Sequence, residues 1–168
     1  QRLHEHLLRT FARKGAELSD ADKHTLSEIN QRLSILSEEF GRNLMADTRA
    51  RAVQFNNAEE LAGLPQDRID AAAAYAKELG KEGYVFPLEL PSVQSEQQRL
   101  ATPKARATLY DAARLRGTET NSAVLVEMAQ LRAQRAQLLG YDTHADYVIA
   151  EETAKEASAV NDMLRGLV

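Results

Sequence analysis

The chain has 168 residues, no cysteine and a formal net charge of −4 at pH 7. The lack of cysteine excludes a disulfide framework, a thiol nucleophile and a thiolate metal ligand, and it fits a reducing compartment, so we expect the chain in the cytoplasm. The acidic balance gives no general electrostatic reason to bind nucleic acid or an anionic membrane, and we expect neither as a partner.

The composition predicts a mainly α fold. Good helix formers recur throughout, whereas Gly (8), Pro (4) and aromatic residues (5%) are sparse. The length suits one compact domain around one core, and we expect a single helical domain over residues 1–168. No stretch approaches the roughly 20 apolar residues needed to cross a bilayer, and residues 1–6 do not resemble a signal peptide, so a soluble chain is expected.

The first predicted helix ends at Gly15, and a capping sequence at residues 19–22 then opens a long helix. The apolar residues of that long helix alternate at spacings of three and four, which predicts a narrow seam. The seam comprises Leu26, Ile29, Leu33, Leu36, Phe40 and Leu44. We interpret it as packing within the chain; a dimerising coiled coil is the alternative.

One small two-stranded β element is expected, formed by residues 50–56 and 84–90. The second segment is rich in β-formers, and its prolines confine it to an edge strand. Between the strands, residues 57–61 predict a brief helical turn, and Asp67 is predicted to cap an Ala-rich helix that ends near Gly80. The short sequence from Gly80 to Gly83 predicts a turn and lacks the pattern of a phosphate-binding loop.

The rest of the chain predicts further helices. Ser92 is predicted to cap a short one, and Thr102-Pro103 to open another that ends at Gly117. Asn121 is predicted to cap a helix that ends at Gly140. One face of that helix carries Leu125, Met128, Leu131, Arg135 and Leu138. Thr143 is predicted to open the next helix, and residues 156–168 to form the last.

No catalytic, cofactor-binding or metal-binding residue is assigned in this chain. A zinc peptidase needs two His one helical turn apart with a Glu between them, and that spacing is absent. His4 and His6 are only two positions apart and point in different directions on a helix. His24 has no ligand set around it, and the pair His144 and Asp146 lacks a Ser or Cys nucleophile, so a surface or capping role is expected.

A basic stretch is the remaining candidate for a binding site. It comprises Arg99, Lys104, Arg106, Arg114 and Arg116, opposed by Asp111. Residues of this type hold phosphates or peptide carboxylates. Without interleaved aromatics or a Gly-rich loop, a solvated face with intrahelical pairs is the preferred interpretation.

Several blocks of sequence carry a family resemblance when their order and spacing are taken together. They are Arg13–Leu18, Leu33–Phe40 followed by Asn43-Leu44, Glu60–Pro65, Gly83-Tyr84, Pro91-Ser92, Asn121, Leu131–Tyr141 and Thr143–Val148. This series resembles the segment upstream of the catalytic domain in zinc metallopeptidases of the thimet oligopeptidase, oligopeptidase A and peptidyl-dipeptidase family. Residues 151–155 depart from it, because relatives often have a Met-containing stretch there.

The resemblance implies an internal fragment of a two-lobed, neurolysin-like zinc peptidase, belonging to its non-catalytic lobe. Helices of this lobe would form one wall of a deep channel that admits short peptides and excludes large folded proteins. In the family, zinc is held by the two-His motif and a further Glu, and none of these motifs has a counterpart here. Zinc is therefore expected in the full-length parent and not in this chain.

Two expectations concern partners. The apolar helices at both ends look like cut ends, so the rest of the parent polypeptide is an expected partner, and the isolated fragment is expected to be able to form a homodimer through those ends. The alternative function is a free-standing helical interaction module that binds a partner helix through the seam.

Overall fold

The computed structural model describes residues 2–89 and 92–168; Gln1, Leu90 and Pro91, where part of the second predicted strand falls, lie outside the described residues. The elements are α1 (Arg2–Arg13), α2 (Asp20–Ala50), β1 (Val53–Phe55), a 3-10 turn (Ala58–Leu61), α3 (Gln66–Glu78), β2 (Tyr84–Phe86), α4 (Ser92–Arg99), α5 (Pro103–Leu115), α6 (Thr118–Leu138), α7 (His144–Ile149) and α8 (Ala157–Arg165). The predicted mainly α fold is confirmed.

The chain divides into two compact units. The first comprises Gln1–Glu38 and Val124–Val168, and the second comprises Glu39–Ala123. The prediction of a single domain over residues 1–168 stays a prediction. No helix in the described ranges is long and apolar enough to cross a membrane.

In the first unit, the long helix α2 begins where the sequence predicts. The backbone N–H of Asp22 donates to Ser19 Oγ at 3.2 Å, which satisfies one of the free donors of the first turn. The seam residues Leu26, Ile29 and Leu33 are buried, as is Leu36 further along. Phe40 and Leu44, which belong to the second unit, are half-buried. Packing within the chain is therefore confirmed for the first four seam residues.

Polar contacts connect α2 to α6 within the first unit. The guanidinium of Arg32 donates from Nε to Glu127 Oε1 at 2.6 Å and from Nη2 to Oε2 at 2.8 Å. Arg135 Nη1 donates to Asn30 Oδ1 at 3.2 Å. The buried seam of α2 thus lies beside a helix that supplies both polar partners.

The second unit contains the small sheet. Strands β1 and β2 are antiparallel, and Val53 is opposite Phe86 while Phe55 is opposite Tyr84. The rings of Phe55 and Phe86 meet edge to face with centroids 5.8 Å apart. Both strands are shorter than predicted, because α2 continues to Ala50 and the ladder ends before Pro87, which has no N–H to donate.

A single apolar cluster forms the core of the second unit around this sheet. Its members come from both strands, the 3-10 turn, α3, α4 and α5. They are Val53, Phe55, Leu61, Leu64, Ala72, Phe86, Leu88, Val93, Leu100, Ala105 and Leu109. The elements between residues 53 and 115 are therefore held by one continuous core.

The predicted cap at Asn121 is wrong. Helix α6 already begins at Thr118, and Asn121 is only 3% exposed inside it. Its Nδ2 donates to the carbonyl of Phe40 at 3.1 Å, and its Oδ1 accepts from Asn43 Nδ2 at 3.1 Å. An amide that bonds another helix is not available to cap its own.

The face of α6 that the sequence singles out is buried only in part. Leu125 is 55% exposed, whereas Val124 and Met128 are buried and Leu131 is half-buried. The buried face therefore continues the line that starts at Asn121, since positions three, seven and ten residues further on lie on the same side of a helix.

The predicted cap at Asp67 is wrong by two residues. Pro65 is the N-cap of α3, and Asp67 lies in the first turn. A carboxylate there still stabilises the positive end of the helix dipole. The Ser92 side chain lies outside the description, although α4 begins at that residue.

Asp47 holds the junction between α5 and α6. Its Oδ2 accepts a hydrogen bond from the Gly117 N–H at 2.6 Å, and both carboxylate oxygens accept from Arg51 Nε at 2.9 Å. The bond from Gly117, followed by the bond and charge of Arg51, lowers the pKa of Asp47 below its ordinary 3.8.

This lowered pKa gives a pH prediction. Because the folded state favours the charged carboxylate, the stabilisation is complete well above pH 3.8 and is lost as the pH falls below that value toward the folded-state pKa. We expect Asp47→Asn to reduce the free energy of unfolding at neutral pH and to flatten its dependence below pH 3.8. Urea midpoints measured against pH test this, and parallel curves for both proteins would contradict it.

Candidate functional site

The described histidines do not form a zinc site. His4 and His6 lie on α1 with exposed side chains, and His24 lies within 3.6 Å of Glu28 on the surface of α2. Within residues 2–89 and 92–168, no group of three His, Cys, Asp or Glu side chains is arranged to hold a metal. The described residues therefore supply no ligand set for the zinc that the family resemblance implies for the full-length parent.

Asp146 is a capping residue rather than a partner of His144. Its backbone N–H donates to Thr143 Oγ1 at 3.1 Å, and the Thr143 hydroxyl donates to Asp146 Oδ2 at 2.7 Å. These two bonds close the first turn of α7. The capping interpretation is therefore confirmed for Asp146, whereas His144 takes no part in the cap and is half-buried against Tyr147.

Two arginines of the basic stretch donate hydrogen bonds to backbone carbonyls. Arg106 Nη1 donates to the carbonyls of Leu100 and Ala101 at 2.6 and 2.9 Å, and Arg116 donates to the Leu88 carbonyl. No intrahelical ion pair of these residues with Asp111 is found in the described part of the chain, so that detail of the prediction is wrong. The guanidinium groups instead hydrogen-bond to the backbone of the loops between secondary-structure elements.

The turn between Gly80 and Gly83 forms as predicted. Both glycines have positive φ, +66° and +79°, and they connect α3 to β2. An added Cβ at Gly83 would contact the Phe55 carbonyl oxygen, so the backbones approach closely there. The turn is structural and is not a phosphate cradle.

A further polar arrangement in the first unit is a set of five residues that we call the tyrosine–arginine cluster: Arg13, Arg135, Tyr141, His144 and Tyr147. The rings of Tyr141 and Tyr147 meet at 78° with centroids 5.4 Å apart. The guanidinium carbon of Arg13 lies 4.7 Å from the Tyr147 centroid, and that of Arg135 lies 5.5 Å from it. These are cation–π distances.

Hydrogen bonds and stacking fix the cluster. Arg13 donates from Nη1 to the Tyr141 hydroxyl at 2.7 Å and from Nη2 to the Tyr147 carbonyl at 2.5 Å. The His144 ring stacks on Tyr147 with centroids 6.2 Å apart. Helix α1 is thereby joined both to the segment between α6 and α7, at Tyr141, and to α7 itself, at Tyr147.

Two buried nitrogen atoms of the cluster have no hydrogen-bond partner, namely Arg135 Nε and His144 Nδ1. The pKa of His144 is lowered, first by burial and then by the positive charges of Arg135 and Arg132. His144 therefore favours its neutral form in an electropositive environment.

Sequence reasoning missed this cluster. It named Arg13 within a block of family resemblance, placed His144 beside a cap, and assigned no role to Tyr141 or Tyr147. The two tyrosines that flank the Thr143 cap were the available signal, but nothing local indicates that Arg13 lies against them, 128 residues away in sequence.

Comparison with known proteins identifies the class. Residues 92–168 match peptidase family M3. Relatives named oligopeptidase A and dipeptidyl carboxypeptidase match nearly the whole chain, which confirms the resemblance to this family.

Three relatives illustrate the match. Oligopeptidase A of Haemophilus influenzae is 33% identical over 95% of this chain, and dipeptidyl carboxypeptidase of Escherichia coli is 28% identical over 99%. The probable cytosolic oligopeptidase A of Arabidopsis thaliana is 27% identical over 98%. The chain spans about a quarter of the length of these relatives, 25% in each case.

Proposed function

We propose that residues 1–168 form a helical, non-catalytic scaffold and channel-wall portion of a zinc metallopeptidase that hydrolyses short peptides, as a peptidyl-dipeptidase or an oligopeptidase. One observation carries the proposal: residues 92–168 match peptidase family M3, and relatives named as peptidases match nearly the whole chain. Within the described residues, no group of side chains is arranged to hold a metal. Zinc, its ligands and the residues that act on the attacking water would then lie outside residues 1–168.

The described residues are suited to a scaffold role. The buried part of the seam makes α2 a firmly packed helix, and the continuous core holds the elements of the second unit together. Buried apolar side chains of this kind provide most of the stability of a helical wall. The partners proposed for the parent are short peptide substrates and the rest of its own polypeptide.

The cytoplasm is the proposed location of the parent. It is supported by the lack of cysteine and by the cytosolic relative named above. Homodimerisation of the isolated chain stays a prediction; exposed apolar side chains on α1 and α8, such as Leu3, Phe11, Met163 and Leu164, are consistent with it.

The proposal is tested with a quenched fluorescent peptide of a few residues. We expect the full-length parent to cleave it, a zinc chelator to abolish the cleavage and added zinc to restore it. The isolated 168-residue chain should be inactive with or without zinc. Zinc-dependent cleavage by the isolated chain would contradict the non-catalytic assignment, and an inactive zinc-loaded parent would contradict the peptidase assignment.

The alternative interaction module is not favoured by the structure. That function requires an exposed seam, whereas Leu26, Ile29, Leu33 and Leu36 are buried within the chain. A partner helix would have to displace the packing that covers them.

A further inference from the structure

We propose that the tyrosine–arginine cluster binds a carboxylate group. This inference does not rest on the proposed function, because it follows from charge and hydrogen bonding within the first unit alone.

Arg135 has a buried donor that lacks a hydrogen-bond acceptor. Arg135 Nε is buried without an acceptor, and the only bond of this guanidinium in the described chain is the one from Nη1 to Asn30 at 3.2 Å. A buried charged donor that lacks an acceptor is costly, and native proteins rarely leave one. An oxygen ligand beside Nε would remove that cost.

The positive charge of the arginines in and beside the cluster is not balanced by ion pairs. Arg13, Arg132 and Arg135 form no ion pair within the described ranges, although the chain has 25 acidic residues for 21 Lys and Arg. Arg13 donates only to a neutral hydroxyl and a carbonyl. Other arginines of the chain form ion pairs with carboxylates: Arg32 with Glu127, Arg51 with Asp47 and Arg68 with Glu96.

The positive charges around His144 also favour a bound anion. Its half-buried ring lies in the field of Arg132 and Arg135 on α6, while the only acid on its own helix, Asp146, is engaged with Thr143. Arg13 and the two tyrosines also belong to the cluster, and the pocket beside Arg13 and Tyr141 is lined in addition by Arg9, Glu17 and Glu151. A bound anion would offset the positive field and give a protonated Nδ1 an acceptor.

The chemistry favours a carboxylate over other ligands. The positive charges exclude a cation, and the planar edge of a guanidinium matches the two oxygens of a carboxylate. Phosphate sites commonly add a lysine or a nest of backbone N–H groups, and the cluster has neither. The carboxylate would belong either to the end of a free peptide or to an Asp or Glu of the parent polypeptide.

The experiment is an NMR titration of the 168-residue chain with sodium acetate, with sodium chloride at equal ionic strength as the salt control. The chain has four histidines, and His144→Gln assigns the signal of His144. We expect acetate to raise the pKa of His144 in a saturable manner and chloride to leave it unchanged. Inorganic phosphate is titrated in parallel.

Matched variants locate the site. Arg135→Gln is expected to weaken acetate binding at least about tenfold, because a charge-assisted bond is lost. Arg165→Gln removes the same charge from an exposed residue paired with Asp162, and it should leave binding unchanged. If Arg135→Gln does not fold, the acetate titration of the wild-type chain by itself tests whether a carboxylate binds.

The outcomes are distinct. No saturable effect of acetate, or binding of phosphate without acetate, overturns the proposal. In the full-length parent, an acetate-responsive His144 assigns the carboxylate to free peptides, whereas a His144 pKa that is already raised and insensitive to acetate assigns it to the polypeptide itself. Both results in the parent support a carboxylate site, and neither depends on whether the parent cleaves peptides.

Discussion

Replacing Leu33 by Asp is expected to unfold the first unit. Leu33 is 7% exposed in the seam of α2, and no described cation forms an ion pair at that position. An uncompensated buried charge costs roughly 3–5 kcal/mol, which is a large part of the 5–15 kcal/mol that stabilises a typical domain. Far-UV circular dichroism and urea unfolding of the 168-residue chain measure the loss.

Ile35→Asp is the matched control on the same helix. Ile35 is 53% exposed, so the same substitution two positions away should change the free energy of unfolding by no more than about 0.5 kcal/mol. If Leu33→Asp instead kept a stable fold and abolished binding to a partner protein, the seam would be an interaction surface and the interaction module would replace the scaffold.

Gly63→Ala should destabilise the second unit strongly. The glycine has φ of +97°, and an added Cβ would strike the carbonyl oxygen of Arg99 while lying 3.0 Å from the Ala101 nitrogen. The Ala101 nitrogen cannot move freely, because its N–H donates to the Ala62 carbonyl at 2.7 Å. We expect about 1–2 kcal/mol for the left-handed backbone and about 1–3 kcal/mol more for the clash.

Gly80→Ala separates these two costs. Gly80 also has positive φ, +66°, but its added Cβ would have no neighbour within 4 Å. Its substitution should therefore show the backbone cost alone, measured as the shift in urea midpoint. Equal losses for the two variants would mean that the backbone around Gly63 can relax.

Local chemistry explains which parts of the fold were predictable. Helices end near Gly15, Gly117 and Gly140, each with positive φ, because only glycine adopts that conformation cheaply. The two short strands stand out in a helix-rich chain because they concentrate β-branched and aromatic residues. Caps at Ser19 and Thr143 use hydroxyls within three residues of their donors.

Tertiary contacts explain the failures. Asn121 has the composition of a cap, yet its amide bonds a helix about 80 residues earlier in the chain. Glu96 is on a polar helix and is nevertheless 2% exposed, because Arg68 donates to its Oε1. The cluster around Tyr147 depends likewise on a distant residue, Arg13. No local sequence pattern indicates which distant side chain will contact a given residue in the folded chain.

Whether this chain is a non-catalytic part of a zinc peptidase can be read from the coding sequence of its parent beyond the codon for Val168. We expect that sequence to encode two His one helical turn apart with a Glu between them, followed by a further Glu on a later helix. A parent whose coding sequence contains no such set of zinc ligands would contradict that expectation.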